Sequence, residues 1–257
     1  RGWGKRGVPS RTLKLKTPKR AKEISVGITP IERLRCPALQ VALDLDADLK
    51  TVVRIACAAY RGGAQIVEAG TPALKRHGTD RLIPELRKVA PDALIVADLK
   101  TMDVGNLEAK IAFRSGADIA AVLGIGGRTK IFEALSEAIR WNRAILIDFI
   151  DCPDPIALIE ELARRFEGRE NHVIFCLHRG ISEQLRGRGI YDSTTLIAEA
   201  KKRCRPFLLA VAGGIKEGVA KEVVRAGADI CIAGSAIYNT SNPERAARRI
   251  VAEIKQA

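Results

Sequence analysis

The sequence predicts an α/β protein, a (β/α)8 TIM barrel with a basic, flexible N-terminal extension. Three observations support this fold class. From residue 38 onward, short apolar runs alternate eight times with amphipathic stretches. Near-continuous apolar strands that alternate with helices are typical of parallel strands buried on both faces. Eight units in this length also fit a closed barrel of about 250 residues better than an open doubly wound sheet.

The third observation is a repeated joint between consecutive units. Glycine-alanine pairs precede strands 2, 4 and 8, at Gly63, Gly116 and Gly227, as expected where a helix ends and a strand begins. Strands are predicted over 39–45, 65–68, 93–99, 118–123, 144–150, 172–177, 207–212 and 229–233. Helices are predicted over 49–61, 80–89, 105–115, 130–141, 155–166, 194–203, 216–226 and 243–255.

Residues 1–37 are predicted to form a basic extension or linker, and residues 38–257 the catalytic barrel. Residues 1–22 carry +9 of the net charge of +13, which leaves +4 for the other 235 residues. We interpret the basic segment as a solvated tail, with an arm that binds nucleic acid or a partner as the alternative. Because the chain does not begin with Met, we expect a processed form or a domain tethered to a longer polypeptide.

Composition indicates a cytoplasmic globular protein without a membrane partner. No apolar run approaches the roughly 20 residues that span a bilayer. The six cysteines are scattered and form no CxxC pair. This pattern favours a reducing compartment and argues against a disulfide framework or a zinc site.

The strand ends carry most of the candidate functional groups, and barrel enzymes place their active sites there. Strand 1 ends in Asp44, strand 2 in Glu68, and strand 3 in Asp98 and Lys100, with Asp103 just beyond. Alternation along a strand predicts that Asp98 and Lys100 share a face. Any single acid could cap a helix instead, but five ionisable groups from three adjacent strands indicate a site.

Converging carboxylates repel one another and need a cation. Oxygen ligands without paired His or Cys favour a hard ion, so we predict Mg²⁺, replaceable by Mn²⁺. Lys100 could be a Schiff-base nucleophile, but that role needs a neutral amine. Flanking carboxylates stabilise the ammonium, so we expect Lys100 to stay charged and to donate to a developing enolate oxygen.

A phosphate site is predicted after strands 7 and 8. Gly213-Gly214 and Gly234-Ser235 lie there, where barrels often bind phosphate through backbone N–H groups. Glycine allows the backbone to approach an anion closely, although a Gly-Gly pair can also be a simple turn.

Three further side chains are assigned by position. His178 is the only histidine at the C-terminal end of a strand and is predicted to act as acid or base. Thr71 and Arg179 follow strands 2 and 6, and both are predicted to contact the substrate.

Five segments of the barrel follow known motifs. They are Leu39-Gln40-Val41-Ala42-Leu43-Asp44, Glu68-Ala69-Gly70-Thr71-Pro72, Asp98-Leu99-Lys100-Thr101-Met102-Asp103, Val211-Ala212-Gly213-Gly214-Ile215 and Ala233-Gly234-Ser235-Ala236-Ile237. Together they resemble the orotidine-5'-phosphate decarboxylase superfamily and, within it, the 3-hexulose-6-phosphate synthases. One departure lies after strand 6, where synthases tend to show His-x-Gly-x-Asp-x-Gln. Here Gly180 and Gln184 match, but Ser182 replaces the aspartate.

The resemblance implies a Mg²⁺-dependent aldolase, a lyase that condenses formaldehyde with D-ribulose 5-phosphate to D-arabino-hex-3-ulose 6-phosphate, or the reverse. It implies that Glu68 and Asp98 bind the metal, which chelates a 1,2-enediolate stabilised by Lys100. Asp44 would hold a substrate hydroxyl, and His178 would transfer protons. The same site would serve formaldehyde fixation in the ribulose monophosphate pathway or ribulose 5-phosphate supply.

The resemblance also implies a homodimer with shared active sites, because the counterpart of Asp103 in related enzymes reaches the neighbouring subunit's site. Two alternatives stay open. A 3-keto-L-gulonate-6-phosphate decarboxylase shares the strand-3 motif, but tends to carry Thr and Arg where this chain has Ala212 and Ser235. A non-catalytic barrel would use its basic arm to bind RNA or a partner.

Overall fold

A computed structural model describes residues 27–179 and 194–257. Eight parallel strands close into a barrel in sequence order, as predicted. The strands are β1 (Ala38–Ala42), β2 (Ile66–Ala69), β3 (Leu94–Thr101), β4 (Ile119–Leu123), β5 (Ala144–Asp148), β6 (Val173–His178), β7 (Leu208–Ala212) and β8 (Ile230–Ala233). The helices are α1 (Leu49–Arg61), α2 (Thr71–His77), α3 (Thr79–Val89), α4 (Gly105–Arg114), α5 (Thr129–Arg140), α6 (Pro155–Arg165), α7 (Thr194–Cys204), α8 (Ala220–Arg225), α9 (Ser235–Tyr238) and α10 (Pro243–Ile254).

Two short helices lie where no helix was predicted from the sequence. Helix α2 begins at Thr71, with Gly70 as N-cap and Pro72 in its first turn. Proline is tolerated there because its missing N–H has no partner within the helix in any case. Helix α9 is a single turn that follows Gly234. Both helices start at the C-terminal end of a strand, so they form part of the mouth of the barrel.

Two strands end earlier than predicted, which changes the position of two carboxylates. Strand β1 ends at Ala42 rather than residue 45, so Asp44 lies in the loop that follows it. Strand β5 ends at Asp148 rather than residue 150. Asp148 is therefore a strand-end carboxylate, although the sequence reading did not treat it as one.

Strand β3 is longer than predicted and irregular near its end. It continues to Thr101, and its register with β4 shifts between Ala97 and Thr101. Lys100 has a φ of 49°, an uncommon left-handed conformation for a residue with a side chain. Such bulges re-aim side chains beside active sites. Here the irregularity brings Asp98 and Lys100 to the same cavity, as predicted, but not through simple alternation.

The apolar side chains form two clusters separated by the strand walls. One cluster lies between the barrel and its helices and includes Leu39, Val41 and Ile95. The second lies inside the barrel and includes Ala38, Ile66 and other inward side chains. Alternate residues of each strand therefore serve the two clusters.

The end of the predicted extension contacts the barrel. Residues 31–33 form a short 3-10 helix, and Ile31 is buried with the interior cluster at the N-terminal mouth. Arg33 forms an ion pair with the buried Asp118 at 3.1 Å. Asn142 donates a hydrogen bond to the Gly27 carbonyl, which holds the start of this segment at the same mouth. Residues 1–26, including the basic 1–22, lie outside the described residues.

Two expectations from composition can be compared with the structure. All six cysteines are free thiols. In the described part of the chain, no helix combines the length and hydropathy that crossing a bilayer requires.

Candidate active site

A cavity of about 330 Å³ opens at the C-terminal ends of the strands. Its lining includes most of the residues predicted from the sequence. They are Asp44, Glu68, Asp98, Lys100, His178, Gly213, Gly214, Gly234 and Ser235. The barrel thus brings together residues that are separated by up to 191 positions in the chain.

Three carboxylates converge on one side of the cavity. Asp44, Glu68 and Asp98 each offer an oxygen, and these oxygens all lie within 4.8 Å of one another. Burial raises the pKa of Glu68 well above its usual value, and the neighbouring Asp98 and Asp44 add to this effect. Partial burial and Asp98 likewise raise the pKa of Asp44. Such a cluster suits a divalent cation bound through oxygen ligands.

The close approach of Asp44 to the cluster depends on Gly70. A Cβ atom at position 70 would lie 2.7 Å from the Leu43 carbonyl oxygen and would also collide with the Asp44 carboxylate. Glycine is therefore needed at the start of α2 so that the loop after β1 can place Asp44 at the cavity.

Lys100 provides positive charge beside this cluster. Its Nζ lies 2.6 Å from Asp98 Oδ2 and 2.9 Å from Asp148 Oδ2. Burial alone would lower the pKa of Lys100, but Asp98, Asp148 and Glu68 outweigh burial and raise it above its usual value. The geometry therefore keeps Lys100 as an ammonium, as the sequence reading expects, and disfavours a neutral amine nucleophile.

Asp148 is the functional candidate that the sequence reading missed. The carboxylate is buried at the end of β5 and lines the cavity. Its oxygens lie 2.9 and 3.0 Å from His178 Nδ1. Burial would raise its pKa, but His178 and Lys100 lower it well below its usual value. The sequence does contain a pattern that could have identified Asp148. It directly follows the apolar residues 144–147, just as Asp98 directly follows the apolar residues of β3.

The ionised Asp148 also determines the state of His178. A carboxylate accepts hydrogen bonds only, so Nδ1 of His178 must donate to it. The other ring nitrogen, Nε2, can then accept a proton while the ring is neutral and return it once the ring is protonated. His178 lies in the wall of the cavity with its side chain 19% exposed.

The two carboxylate oxygens of Asp98 differ in their contacts: Oδ2 has partners and Oδ1 has none among the described residues. Thr71 Oγ1 donates to the Asp98 carbonyl at 2.7 Å and lies 3.1 Å from Oδ2. Asp98 Oδ1 is buried and has no hydrogen-bond partner among residues 27–179 and 194–257. Thr71, predicted to contact substrate, thus uses its hydroxyl to orient Asp98 and is not among the lining residues.

The part of the cavity wall next to β1 is lined by glycines that follow β7 and β8. Gly213 and Gly214 have φ values of 114° and 80°, which favour glycine. A Cβ atom at Gly213 would also lie 2.7 Å from the carbonyl oxygen of Arg179. Arg179 therefore packs its backbone against the predicted phosphate loop.

Asp103, like Thr71 and Arg179, is a predicted site residue that is not among the residues lining this cavity. Asp103 is exposed in the loop after β3, beside the exposed Met102 and Val104. It has no hydrogen bond or ion pair within the described part of its own chain. Gly180, Ser182 and Gln184 of the segment after β6 fall outside the described residues.

A family model matches most of the chain. The model is that of the orotidine 5'-phosphate decarboxylase / HUMPS family, and it covers residues 37–250. The chain belongs to this family. Membership in the orotidine 5'-phosphate decarboxylase / HUMPS family agrees with the motifs at the ends of strands 1, 2, 3, 7 and 8, and confirms the resemblance drawn from them.

Within the orotidine 5'-phosphate decarboxylase / HUMPS family, the chain is similar in sequence to curated proteins named as 3-hexulose-6-phosphate synthase or as bifunctional enzyme Fae/Hps. The 3-hexulose-6-phosphate synthase of Mycobacterium gastri is 36% identical over 219 residues, which span 84% of this chain and 99% of that protein. The bifunctional enzyme Fae/Hps of Methanococcoides burtonii is 34% identical over 245 residues, 95% of this chain and 60% of that protein. The chain covers 53% of the Fae/Hps of Methanoculleus marisnigri, and so spans little more than half of these bifunctional relatives.

Solved structures of 3-hexulose-6-phosphate synthases are also similar to this chain. A crystal structure of 3-hexulose-6-phosphate synthase shares 35% identity with a TM-score of 0.74, and covers 84% of this chain and 99% of its own. The synthase from Salmonella typhimurium shares 29% identity with a TM-score of 0.76, and covers 85% and 99%. At 24% identity and a TM-score of 0.72, a structure of KGPDC from Streptococcus mutans supports the fold alone.

Proposed function

We propose that the chain is a Mg²⁺-dependent aldolase of the 3-hexulose-6-phosphate synthase type. It would condense formaldehyde with D-ribulose 5-phosphate to D-arabino-hex-3-ulose 6-phosphate, or catalyse the reverse. The observation that carries this proposal is the placement of the Lys100 ammonium within ion-pair distance of Asp98 and Asp148, beside a carboxylate cluster in a cavity that glycines after β7 and β8 also line. The similarity to proteins named 3-hexulose-6-phosphate synthase supports it.

The carboxylate cluster fits a divalent cation. Asp44, Glu68 and Asp98 supply hard oxygen donors, and the buried Asp98 Oδ1 has no partner in the described residues. Unpaired buried carboxylates are costly, and a hard ion such as Mg²⁺ or Mn²⁺ compensates them. Glu68 and Asp98 would hold this ion, and Asp44 would stand beside it towards a substrate hydroxyl. When bound, the ion would supply Lewis-acid polarisation of the ketose carbonyl.

The reaction needs a base and a group that stabilises negative charge. Removal of a proton from C1 of ribulose 5-phosphate gives an enediolate, and C1 then attacks the formaldehyde carbon to form the new C–C bond. His178 would accept the proton at Nε2 and return it to the former formaldehyde oxygen. Lys100, fixed as an ammonium, would donate to the enediolate oxygen as charge develops.

Asp148 supports both of these roles. Its hydrogen bond to Nδ1 fixes the tautomer and the ring orientation of His178. Its ion pair with Lys100, together with that of Asp98, fixes the position of Nζ. The phosphate of the substrate would bind at Gly213, Gly214 and the β8 end, where backbone N–H groups can reach an anion.

The direct test follows formaldehyde consumption by purified protein supplied with ribulose 5-phosphate and Mg²⁺. We expect loss of formaldehyde that depends on both the sugar phosphate and the metal, and that EDTA abolishes. Release of CO2 from 3-keto-L-gulonate 6-phosphate without formaldehyde consumption would favour the decarboxylase alternative. Nucleic-acid binding that disappears on deletion of residues 1–22, with neither reaction detected, would favour the non-catalytic alternative.

We also propose that the active form is a homodimer with shared sites, joined through the β3–α4 face. Large apolar side chains are exposed there: Met102, Val104, Leu107 and Ile111. Leu107 is 53% exposed, and Leu107 and Ile111 are four residues apart on one face of α4. Exposed apolar patches commonly mark protein–protein contacts. Asp103 lies within this surface and would reach the partner's cavity.

Leu107→Glu is expected to convert the dimer to a monomer and to lower the condensation rate, because a buried unpaired carboxylate opposes association. Sedimentation and light scattering measure the mass, and the formaldehyde assay measures the rate. Ile28→Glu is the matched control, since Ile28 is also an exposed apolar residue but lies at the N-terminal mouth. A wild-type protein that is monomeric and fully active at assay concentration would contradict the shared-site proposal.

A further inference from the structure

Gln40 is a polar side chain in an otherwise apolar layer of the barrel interior. Along β1, Ala38 and Ala42 face the interior cluster, whereas Leu39 and Val41 face the helices. Gln40 shares the inward face, is fully buried and pairs in register with Ile66. It lines the floor of the cavity beneath the carboxylate cluster. The reaction outlined above gives this residue no role.

The amide of Gln40 makes one hydrogen bond within the described residues. Nε2 donates a hydrogen bond of 2.5 Å to Glu68 Oε2. Oε1 is buried and has no partner among the described residues. A buried amide with one unsatisfied polar atom is destabilising compared with an apolar side chain of the same size. The position therefore retains a costly group whose one hydrogen bond in the described structure goes to Glu68.

The direction of this hydrogen bond matters for the chemistry. An amide N–H can only donate, so it favours the carboxylate form of Glu68 and fixes its rotamer. It also occupies one oxygen and leaves the other uncommitted beside Asp44 and Asp98. Groups that hydrogen-bond to metal ligands orient them and are typically worth about 10–100-fold in metal affinity.

We propose that Gln40 is a positioning residue that presents Glu68 to the divalent cation. The inference rests on the metal site of the proposed function, but it concerns affinity for the ion rather than turnover. Gln40 would orient Glu68 from the barrel interior, in the same way that the Thr71 hydroxyl orients Asp98.

The test measures Mn²⁺ binding to the full chain by calorimetry and by the loss of the free-ion EPR signal. Gln40→Met keeps the length of the side chain and removes the donor. It is expected to weaken Mn²⁺ binding by about 10–100-fold. The melting temperature without metal is measured to check folding, because the substitution removes the unsatisfied acceptor Oε1 but also leaves Glu68 Oε2 without its donor. Ile66→Met is the matched control, since it alters packing at the paired position and leaves the hydrogen bond from Gln40 to Glu68 in place.

Equal Mn²⁺ affinity in wild type and Gln40→Met would overturn the inference and leave the proposed aldolase reaction intact. Equal weakening in Gln40→Met and Ile66→Met would also overturn it, because packing would then explain the effect. A wild-type protein that binds no Mn²⁺ would overturn both the inference and the metal dependence. Since affinity is the readout, a chain that binds Mn²⁺ but consumes no formaldehyde would refute the reaction without touching the Gln40 result.

Discussion

Lys100→Met is expected to lower kcat for the condensation by at least about 10²–10³-fold, the usual loss when a stabilising donor is removed from a reacting oxyanion. Methionine keeps the length of the side chain but cannot donate to the enediolate oxygen. The substitution also leaves Asp98 and Asp148 without the cation between them. The formaldehyde assay measures the rate, and KM for ribulose 5-phosphate should change less than kcat.

The same variant must be shown to fold, because removing one partner of a buried ion pair is destabilising. Circular dichroism and a melting curve in the presence of Mg²⁺ check this. Lys202→Met is the matched control, since Lys202 is exposed on α7, and its activity should equal that of wild type. Borohydride should trap no covalent adduct in wild type. An adduct at Lys100 would show that it acts as a neutral amine and would contradict its assignment as an ammonium.

Glu68→Gln is expected to abolish the thermal stabilisation that Mg²⁺ gives the wild-type protein, and to reduce kcat/KM by at least the roughly 10–100-fold typical of disturbed metal sites. A ligand at about 100 times its dissociation constant stabilises a protein by about 2.7 kcal/mol. The substituted amide side chain would offer only a neutral oxygen to the ion. Melting temperatures with EDTA and with increasing Mg²⁺, for both proteins, give the comparison.

The metal-free proteins should differ in the opposite direction. Burial and the neighbouring Asp98 and Asp44 raise the pKa of Glu68 in the folded protein. A group with a raised folded pKa binds its proton more tightly when folded, so its contribution to stability is present at low pH and is lost as pH rises through that pKa. Without metal, Glu68→Gln should therefore melt at a higher temperature than wild type at about pH 8 and show less difference at about pH 4.

Glu167→Gln serves as the control for this pH series, because Glu167 is exposed after α6. It should follow the wild-type curve with and without Mg²⁺. A Glu68→Gln protein with an undiminished response to Mg²⁺ would show that the cation binds elsewhere.

The barrel and most of its site were predictable because both depend on local patterns. Apolar strands buried on two faces differ clearly from amphipathic helices, and strand ends point to one mouth. Asp44, Glu68, Asp98 and Lys100 were therefore found from sequence position alone, and all line one cavity. Their roles in metal and substrate binding remain predictions.

What the sequence did not predict depends on boundaries and on long-range contacts. Asp148 was missed because Phe149 and Ile150, which follow it, are also apolar. The predicted strand was therefore extended past the position where β5 ends. The contact of the Thr71 hydroxyl with Asp98, 27 residues away, was not predicted, because no local pattern shows it. The bulge in β3 arises from the register with β4, which the sequence of β3 does not show.

The contact of residues 27–33 with the N-terminal mouth affects how the barrel can be joined to other domains. Because residues 27–33 are held at the N-terminal mouth, the described chain begins at the end of the barrel opposite the cavity. A domain or an affinity tag joined directly at Gly27 would therefore leave the opening of the cavity unobstructed.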